Sequence, residues 1–203
     1  MKFNPKLHHR QSIRLKGYDY SQSGSYFITI CAREKECIFG EIKEGKTILS
    51  HLGQLVEQEW LALSHRFPQI HLDEYVVMPN HFHGIIHIAV GAGLASAQLA
   101  SAQLETIQFK TEQLNPAPPI STLGNIVCAF KSLVFKRHYD FIRNNHLDEV
   151  AKCWQRNYWE RVIRNHQEYN NIQNYIITNP ERWSQDSDNL ERLLSRMTEK
   201  QSP

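Results

Sequence analysis

"LDEYVVMPNHFHGIIHIAV", residues 72–90, is the stretch on which the reading of the fold turns. Two apolar runs, "LDEYVVM" and "HFHGIIHIAV", are joined by Pro79-Asn80, a dipeptide suited to a tight turn, so they read as an antiparallel strand pair. Side chains alternate along a strand, and residues two apart point the same way about 6.5–7 Å from one another. His81, His83, Ile85 and His87 therefore share one face, and Phe82, Gly84, Ile86 and Ile88 fill the other. Two imidazoles at that spacing can lean over one cation. Neutral imidazole suits Mn, Fe, Co, Ni or Zn and is a less usual ligand for Mg, unless oxygen donors complete the site. A structural role is the competing reading of an isolated His-x-His pair, so the pair needs company before it counts as a metal site.

Upstream, "SYFITICAR" (25–33) is rich in β-branched and aromatic residues and reads as a strand. "CIFGEI" and "KTILS", separated by "KEG", read as a hairpin. In "HLGQLVEQEWLALSHRF" (51–67) the period changes: Leu52, Leu55, Val56, Trp60 and Leu63 form one stripe of a helix with Ser50 as its N-cap. Downstream, residues 91–119 repeat the unit "LASAQ", end in a proline cluster and lack core-forming aromatics, which marks an insertion or flexible linker. Helical periodicity resumes at 121–145 through Leu123, Ile126, Val127, Phe130, Val134 and Phe135. It returns in "NHQEYNNIQNYIITNP" (165–180), where Asn165 precedes Glu168 by three residues, close to a capping box, and where the residue before Pro180 is expected to leave helical angles and end the helix. The order β, β-hairpin, α, β, β, α, α predicts an α+β domain: a ferredoxin-like or RRM-like antiparallel sheet with its helices on one face and the other face available to nucleic acid.

Bulk properties set wide bounds. The 203 residues suit one domain, 1–203, with a polar tail at 184–203. Lys plus Arg at 23 against Asp plus Glu at 21 gives a net charge of +2, so affinity for a polyanion has to come from local patches. No run approaches membrane-spanning length and the N-terminus lacks the apolar core of a signal peptide, which leads to the expectation of a cytoplasmic protein without a membrane partner. Cys31, Cys37, Cys128 and Cys153 are scattered without zinc-knuckle spacing and read as plain thiols.

On the last long helix, Tyr169, Ile172 and Ile176 fall on the inner stripe, Tyr175 at its rim, and Asn179 one turn further on nearly the same side. Tyr175 is a candidate nucleophile and Asn179 a candidate oxygen donor to a metal. Each has a plainer reading, Tyr175 as an amphipathic rim residue and Asn179 as a helix terminator.

"YVVMPNHFHGIIHI", "FKSLVFKR", "WQRNYWERVIRN" and "NYIITNPERW" follow one another in the order and spacing of the REP-associated tyrosine transposases, single-tyrosine members of the HUH superfamily, which this chain resembles. The resemblance runs from "RLKGYDYSQSGSYFITI" to Trp183, apart from the "LASAQ" insertion. It implies that His81 and His83 bind a divalent metal, Mg or Mn, with Asn179 where relatives place a third polar ligand, and that Tyr175 is the catalytic nucleophile. It further implies cleavage and rejoining of single-stranded or hairpin DNA, often a repeated palindrome, through a 5′-phosphotyrosine, with some relatives acting as homodimers. Arg10, Arg14, Lys16, Lys131, Lys136, Arg137, Arg156, Arg161 and Arg164 are then candidate phosphate contacts, and Trp154, Tyr158 and Trp159 candidate stacking platforms. Two rival readings keep the same fold: a nucleic-acid-binding module that cleaves nothing, and a metal-dependent phosphoesterase that uses water.

Overall fold

A computed structural model describes Asp19, residues 22–89 and residues 122–186. The proposed insertion at 91–119, the cations Arg10, Arg14 and Lys16, and the tail beyond residue 186 lie outside the described residues. In chain order the strands and α-helices are β1 (Gly24–Cys31), β2 (Gly40–Lys43), β3 (Lys46–Leu49), α1 (His51–Arg66), β4 (Ile70–Met78), β5 (His81–Ile88), α2 (Leu123–Asn144), β6 (Trp159–Ile163) and α3 (His166–Thr178).

The predicted strand pair forms: β4 and β5 are antiparallel, Met78 opposite His81 across the Pro79-Asn80 turn. β5 also pairs with β1, and β1 with β6, giving an antiparallel sheet in the order β4-β5-β1-β6. β2 and β3 make a separate hairpin whose turn places Glu44 at φ 52° and Gly45 at φ 73°, the paired left-handed geometry of a type I′ turn. The α+β class and the antiparallel sheet are as the sequence predicts.

One face of the sheet carries Tyr26, Ile28 and Ile30 of β1 and Phe82, Ile86 and Ile88 of β5, packed against Trp60 of α1 and Phe130 of α2. Each large side chain so buried contributes about 1.5–3 kcal/mol. Gly84 is required there because a Cβ on it would stand 2.6 Å from the Trp60 ring. Thr122 and Ser50 cap α2 and α1, their hydroxyls accepting from the backbone N–H groups of Asn125 and Gly53. Phe135, grouped above with the α2 stripe, is exposed; His138 and Ile142 complete the stripe instead.

Three features differ from expectation. The helices do not all share one face: α1 and α2 cover the apolar face, whereas α3 crosses the opposite one, where Tyr175 meets His83. The edge strand β6 is an addition to the predicted order. Asn179, although followed by proline, keeps helical angles (φ −60°, ψ −44°), and the chain carries on in a turn in which the Arg182 N–H donates to the Thr178 and Asn179 carbonyls. What ends the regular helix is that Pro180 has no N–H to donate.

Candidate active site

His81 and His83 lie on the α3 side of β5, almost completely buried (1% and 4% exposed), with ring centroids 4.5 Å apart. The neighbouring polar groups orient both rings. Asn80 donates its Nδ2 to the Lys35 carbonyl (3.1 Å), which fixes the amide so that its Oδ1 faces His81 Nδ1 at 2.8 Å. That oxygen can only accept, so His81 carries a proton on Nδ1, the tautomer that in a neutral ring leaves Nε2 free to bind a metal. His83 Nδ1 stands 2.8 Å from the Thr29 hydroxyl, opposite it on β1, and its Nε2 is 3.3 Å from the Tyr175 hydroxyl. Burial, and then the neighbouring His81, hold the His83 imidazole well below its usual pKa, so it is neutral at physiological pH. A neutral imidazole is the protonation state that metal ligation needs, and His83 is held in it.

α3 supplies the rest. Its N-cap, Asn165, accepts from the Glu168 N–H, and the Glu168 carboxylate accepts in turn from the Arg164 N–H, one residue further back than a standard capping box. Residues 175, 179 and 183 recur every fourth position. Tyr175 packs edge-on to His83 at 5.2 Å and to Phe27 at 6.2 Å, and Trp183 lies 6.1 Å from His81. Asn179, between them on the same stripe, is 3% exposed, and its Oδ1 is buried with no hydrogen-bond partner. Among the described residues no group of three or more His, Cys, Asp or Glu side chains is placed to hold a metal, so a third protein donor at this pair would have to be an oxygen such as that of Asn179. A buried carbonyl oxygen without a donor costs about 1–3 kcal/mol, and a cation would relieve it. The residues present therefore fit a divalent ion. Tyr175 itself is 42% exposed, reachable by a large substrate.

A second cluster on this face has no counterpart in the sequence reading. Asp73 Oδ2 lies 2.9 Å from His87 Nε2 and accepts from the Tyr169 hydroxyl of α3, while His87 Nδ1 lies 2.7 Å from the Ser25 hydroxyl. A register shift between Leu72 and Tyr75 inserts an extra residue into β4, so both of these pack toward the apolar core while Asp73 falls on the α3 side. Burial pushes the Asp73 carboxyl up, but hydrogen bonds from Tyr169, His87 and the Glu74 N–H hold it below the usual carboxylate value. Burial and this carboxylate push the Tyr169 phenol up to about 12.

The predicted DNA contacts divide between the two sides of the sheet. Lys131, Lys136 and Arg137 sit on α2, behind the sheet from the histidines. Lys131 Nζ donates to the Gln155 and Arg156 carbonyls, Lys136 pairs with Asp140, and Arg137 pairs with the buried Glu59. Arg156 is exposed beyond Trp154, which is buried in the core. Arg161 and Arg164 lie on the site side and, with Glu168, Asn171, Ile172 and Tyr175, line a groove of about 470 Å³. Cys31 and Cys153 are buried, and Cys37 and Cys128 are exposed. No helix among the described residues is long and apolar enough to cross a membrane.

No family model matches the chain. An uncharacterised protein of Haemophilus influenzae is 42% identical over 185 residues, spanning 91% of this chain and 96% of that protein. Among solved structures, a REP-associated tyrosine transposase bound to a REP hairpin superposes with a TM-score of 0.50 at 16% identity, over 83% of this chain and 73% of that one. The chain belongs to one family with the Haemophilus influenzae protein, and its fold is that of a REP-associated tyrosine transposase.

Proposed function

We propose that this chain is a transposase-type DNA strand transferase, which cleaves and rejoins one strand of single-stranded or hairpin DNA through a covalent 5′-phosphotyrosine at Tyr175. A divalent metal, Mg or Mn, would be held by His81 Nε2, His83 Nε2 and Asn179 Oδ1; when bound it would act as a Lewis acid on the scissile phosphate. The observation that carries the reading is the 3.3 Å between the Tyr175 hydroxyl and His83 Nε2, which joins a solvent-reachable phenol to an oriented imidazole pair. The transposase bound to a REP hairpin, which shares the fold, supports a hairpin DNA as substrate.

The chemistry follows from these groups. A phosphate oriented at the histidines would lie beside the phenol, and holding the two together makes the attack effectively unimolecular. The Tyr175 oxygen bonds to phosphorus, the bond from phosphorus to the 3′ oxygen breaks, and the departing strand ends in a 3′ hydroxyl. The phenol loses one proton and the leaving oxygen gains one, so no net proton is consumed. Attack by another 3′ hydroxyl reverses the step and rejoins the strand, which needs no nucleotide cofactor. An ordinary phenol keeps its proton at neutral pH, so its activation is part of what the site must do.

Labelled hairpin DNA, incubated with the protein with and without Mg or Mn and run on a denaturing gel, tests the reading. The expected result is a metal-dependent covalent adduct that is absent from Tyr175→Phe. Cleavage that survives in Tyr175→Phe would make the protein a water-using phosphoesterase, and binding without an adduct would make it a nucleic-acid-binding module. Sedimentation with and without the hairpin tests whether the working species is a homodimer.

A further inference from the structure

α3 covers only part of its side of the sheet, and what it leaves open is not apolar. Beyond β5 the same face continues onto β1 and the edge strand β6, where the register sets Trp159 opposite Thr29 and Arg161 opposite Phe27. Thr29 is also opposite His83, so His83, Thr29 and Trp159 form one row across three strands. Two strand spacings put Trp159 about 9–10 Å from His83. Trp159 is nevertheless 60% exposed, a large aromatic side chain left open to solvent on the row that leads to His83. Two residues along, Arg161 is held by Glu168 in an exposed ion pair, a contact that contributes little and leaves the guanidinium available to a stronger anion. The groove between β6 and α3 runs from Arg161 and Arg164 to Tyr175.

We propose that this strip is a nucleotide subsite: an unpaired base next to the scissile phosphate stacks on Trp159, while Arg161 leaves Glu168 to meet the adjoining backbone phosphate. The inference rests on the strand-transfer reading above and makes it more specific. It favours single-stranded over duplex DNA, because a paired base keeps its faces inside the stack and cannot lie flat on the indole. The spacing agrees with this: Trp159 and Arg161 are about 6.5–7 Å apart along β6, within reach of one nucleotide's base and phosphate. The cationic lining suits a phosphodiester, and the exposed aromatic suits any base, so the subsite holds the strand without reading its sequence.

The test uses a pool of hairpin oligonucleotides with randomised single-stranded flanks. Wild-type protein selects from it an oligonucleotide that forms the covalent adduct, and the cleavage position is mapped. Affinity for that oligonucleotide, labelled with fluorescein, is then measured in a Tyr175→Phe background, where nothing is cleaved. Trp159→Ala should weaken binding by roughly 5- to 150-fold, the range for loss of one base–aromatic stack, and Trp159→Phe by much less. An abasic nucleotide beside the cleavage position should weaken the Trp159-containing protein to a similar degree and Trp159→Ala no further, a non-additivity that a purely structural tryptophan would not produce. If no oligonucleotide in the pool forms an adduct, the strand-transfer reading falls and the subsite with it. If the adduct forms but Trp159→Ala binds within twofold of its parent, or the abasic and Trp159 effects simply add, the subsite alone is overturned. Should Trp159→Ala fail to fold, Trp159→Leu, which keeps apolar bulk on the strand but offers no aromatic face, takes its place in the same abasic cycle.

Discussion

Asp73 ties α3 to the sheet, and removing its charge should loosen the helix that carries Tyr175. Its carboxylate takes the Tyr169 hydroxyl, the His87 ring and the Glu74 N–H, with Gln173 Nε2 at 3.4 Å. Of these, Tyr169 and Gln173 belong to α3, in which only Ile176 is fully buried, so polar contacts carry an unusual share of the docking. A hydrogen bond to a charged group contributes about 1.5–3 kcal/mol. The Asp73 side chain keeps 18% of its surface in water, which argues for the lower end, about 1.5 kcal/mol for the Tyr169 contact. The assay is thermal unfolding of wild type, Tyr169→Phe, Asp73→Asn and the double variant. Each single variant should melt lower by about 3–6 °C, at about 2–4 °C per kcal/mol for a chain of this size, and the double variant by less than the sum. The pH dependence has a definite sign. The Asp73 pKa is depressed in the folded protein, so its contribution is fully present above the unfolded carboxylate value near 4 and is lost as pH falls through the folded value. The gap between wild type and Asp73→Asn should therefore be constant from neutral pH to about pH 5 and close below about pH 4. Shifts in melting temperature that add within about 1–2 °C, the equivalent of about 0.5 kcal/mol, or a gap that widens in acid, would refute the argument.

Gly84→Ala drives a methyl to 2.6 Å from Trp60 in the fully buried core, against a carbon–carbon optimum of about 3.5–4.0 Å. It should cost about 1–3 kcal/mol, seen as a lower melting temperature with an altered near-ultraviolet spectrum of the indole. Asn80→Ala frees the tautomer of His81, and Mn affinity measured by calorimetry should fall about 10- to 100-fold; unchanged affinity would mean that the Asn80 contact does not tune a ligand. Arg164→Ala should lower the salt dependence of DNA binding by about one counterion. Lys131→Met should leave that slope unchanged while destabilising the fold, because Lys131 is occupied with the Gln155 and Arg156 carbonyls and burial holds its pKa down.

What is legible in the sequence is whatever has a period. The β4–β5 pair, the stripes of α1 and α2 and the N-caps Ser50 and Asn165 all show in local pattern, because each buries one face against a single partner layer. β6 escapes because "WERVI" inverts the usual alternation: Trp159 and Arg161 face outward, and Glu160 lies on the core side opposite Ile28. Periodicity also cannot say which side of a sheet a helix will choose, so it groups α3 with α1 and α2. Spacing singles out His81 and His83, and helical position Tyr175 and Asn179, but neither reveals the groups that orient the rings. Thr29 and Asn80 reach the histidines through strand register and a turn, and Asp73 reaches its face through a bulge, none of which leaves a local signature.

The two sides of the sheet are built to different rules, and the difference explains why the site can sit where it does. On the α1–α2 side, apolar rings interlock, so a shift of one ring is felt by its neighbours and the strands are held rigid. On the α3 side, the contacts are polar and sparse: a carboxylate at the first turn of the helix, an imidazole–phenol contact at the last and a tryptophan beyond its end. A helix docked in this way can yield to a DNA strand entering beside Tyr175 without disturbing β5, because the histidines are positioned by Asn80 and Thr29 rather than by α3. The consequence is measurable by hydrogen exchange: amides of β1 and β5 should open only with global unfolding, whereas those of α3 should exchange faster and should slow when hairpin DNA is added. Equal protection in α3 and β5 in the free protein would show that the helix is as firmly held as the strands, and that access to Tyr175 must come through the groove along β6 alone.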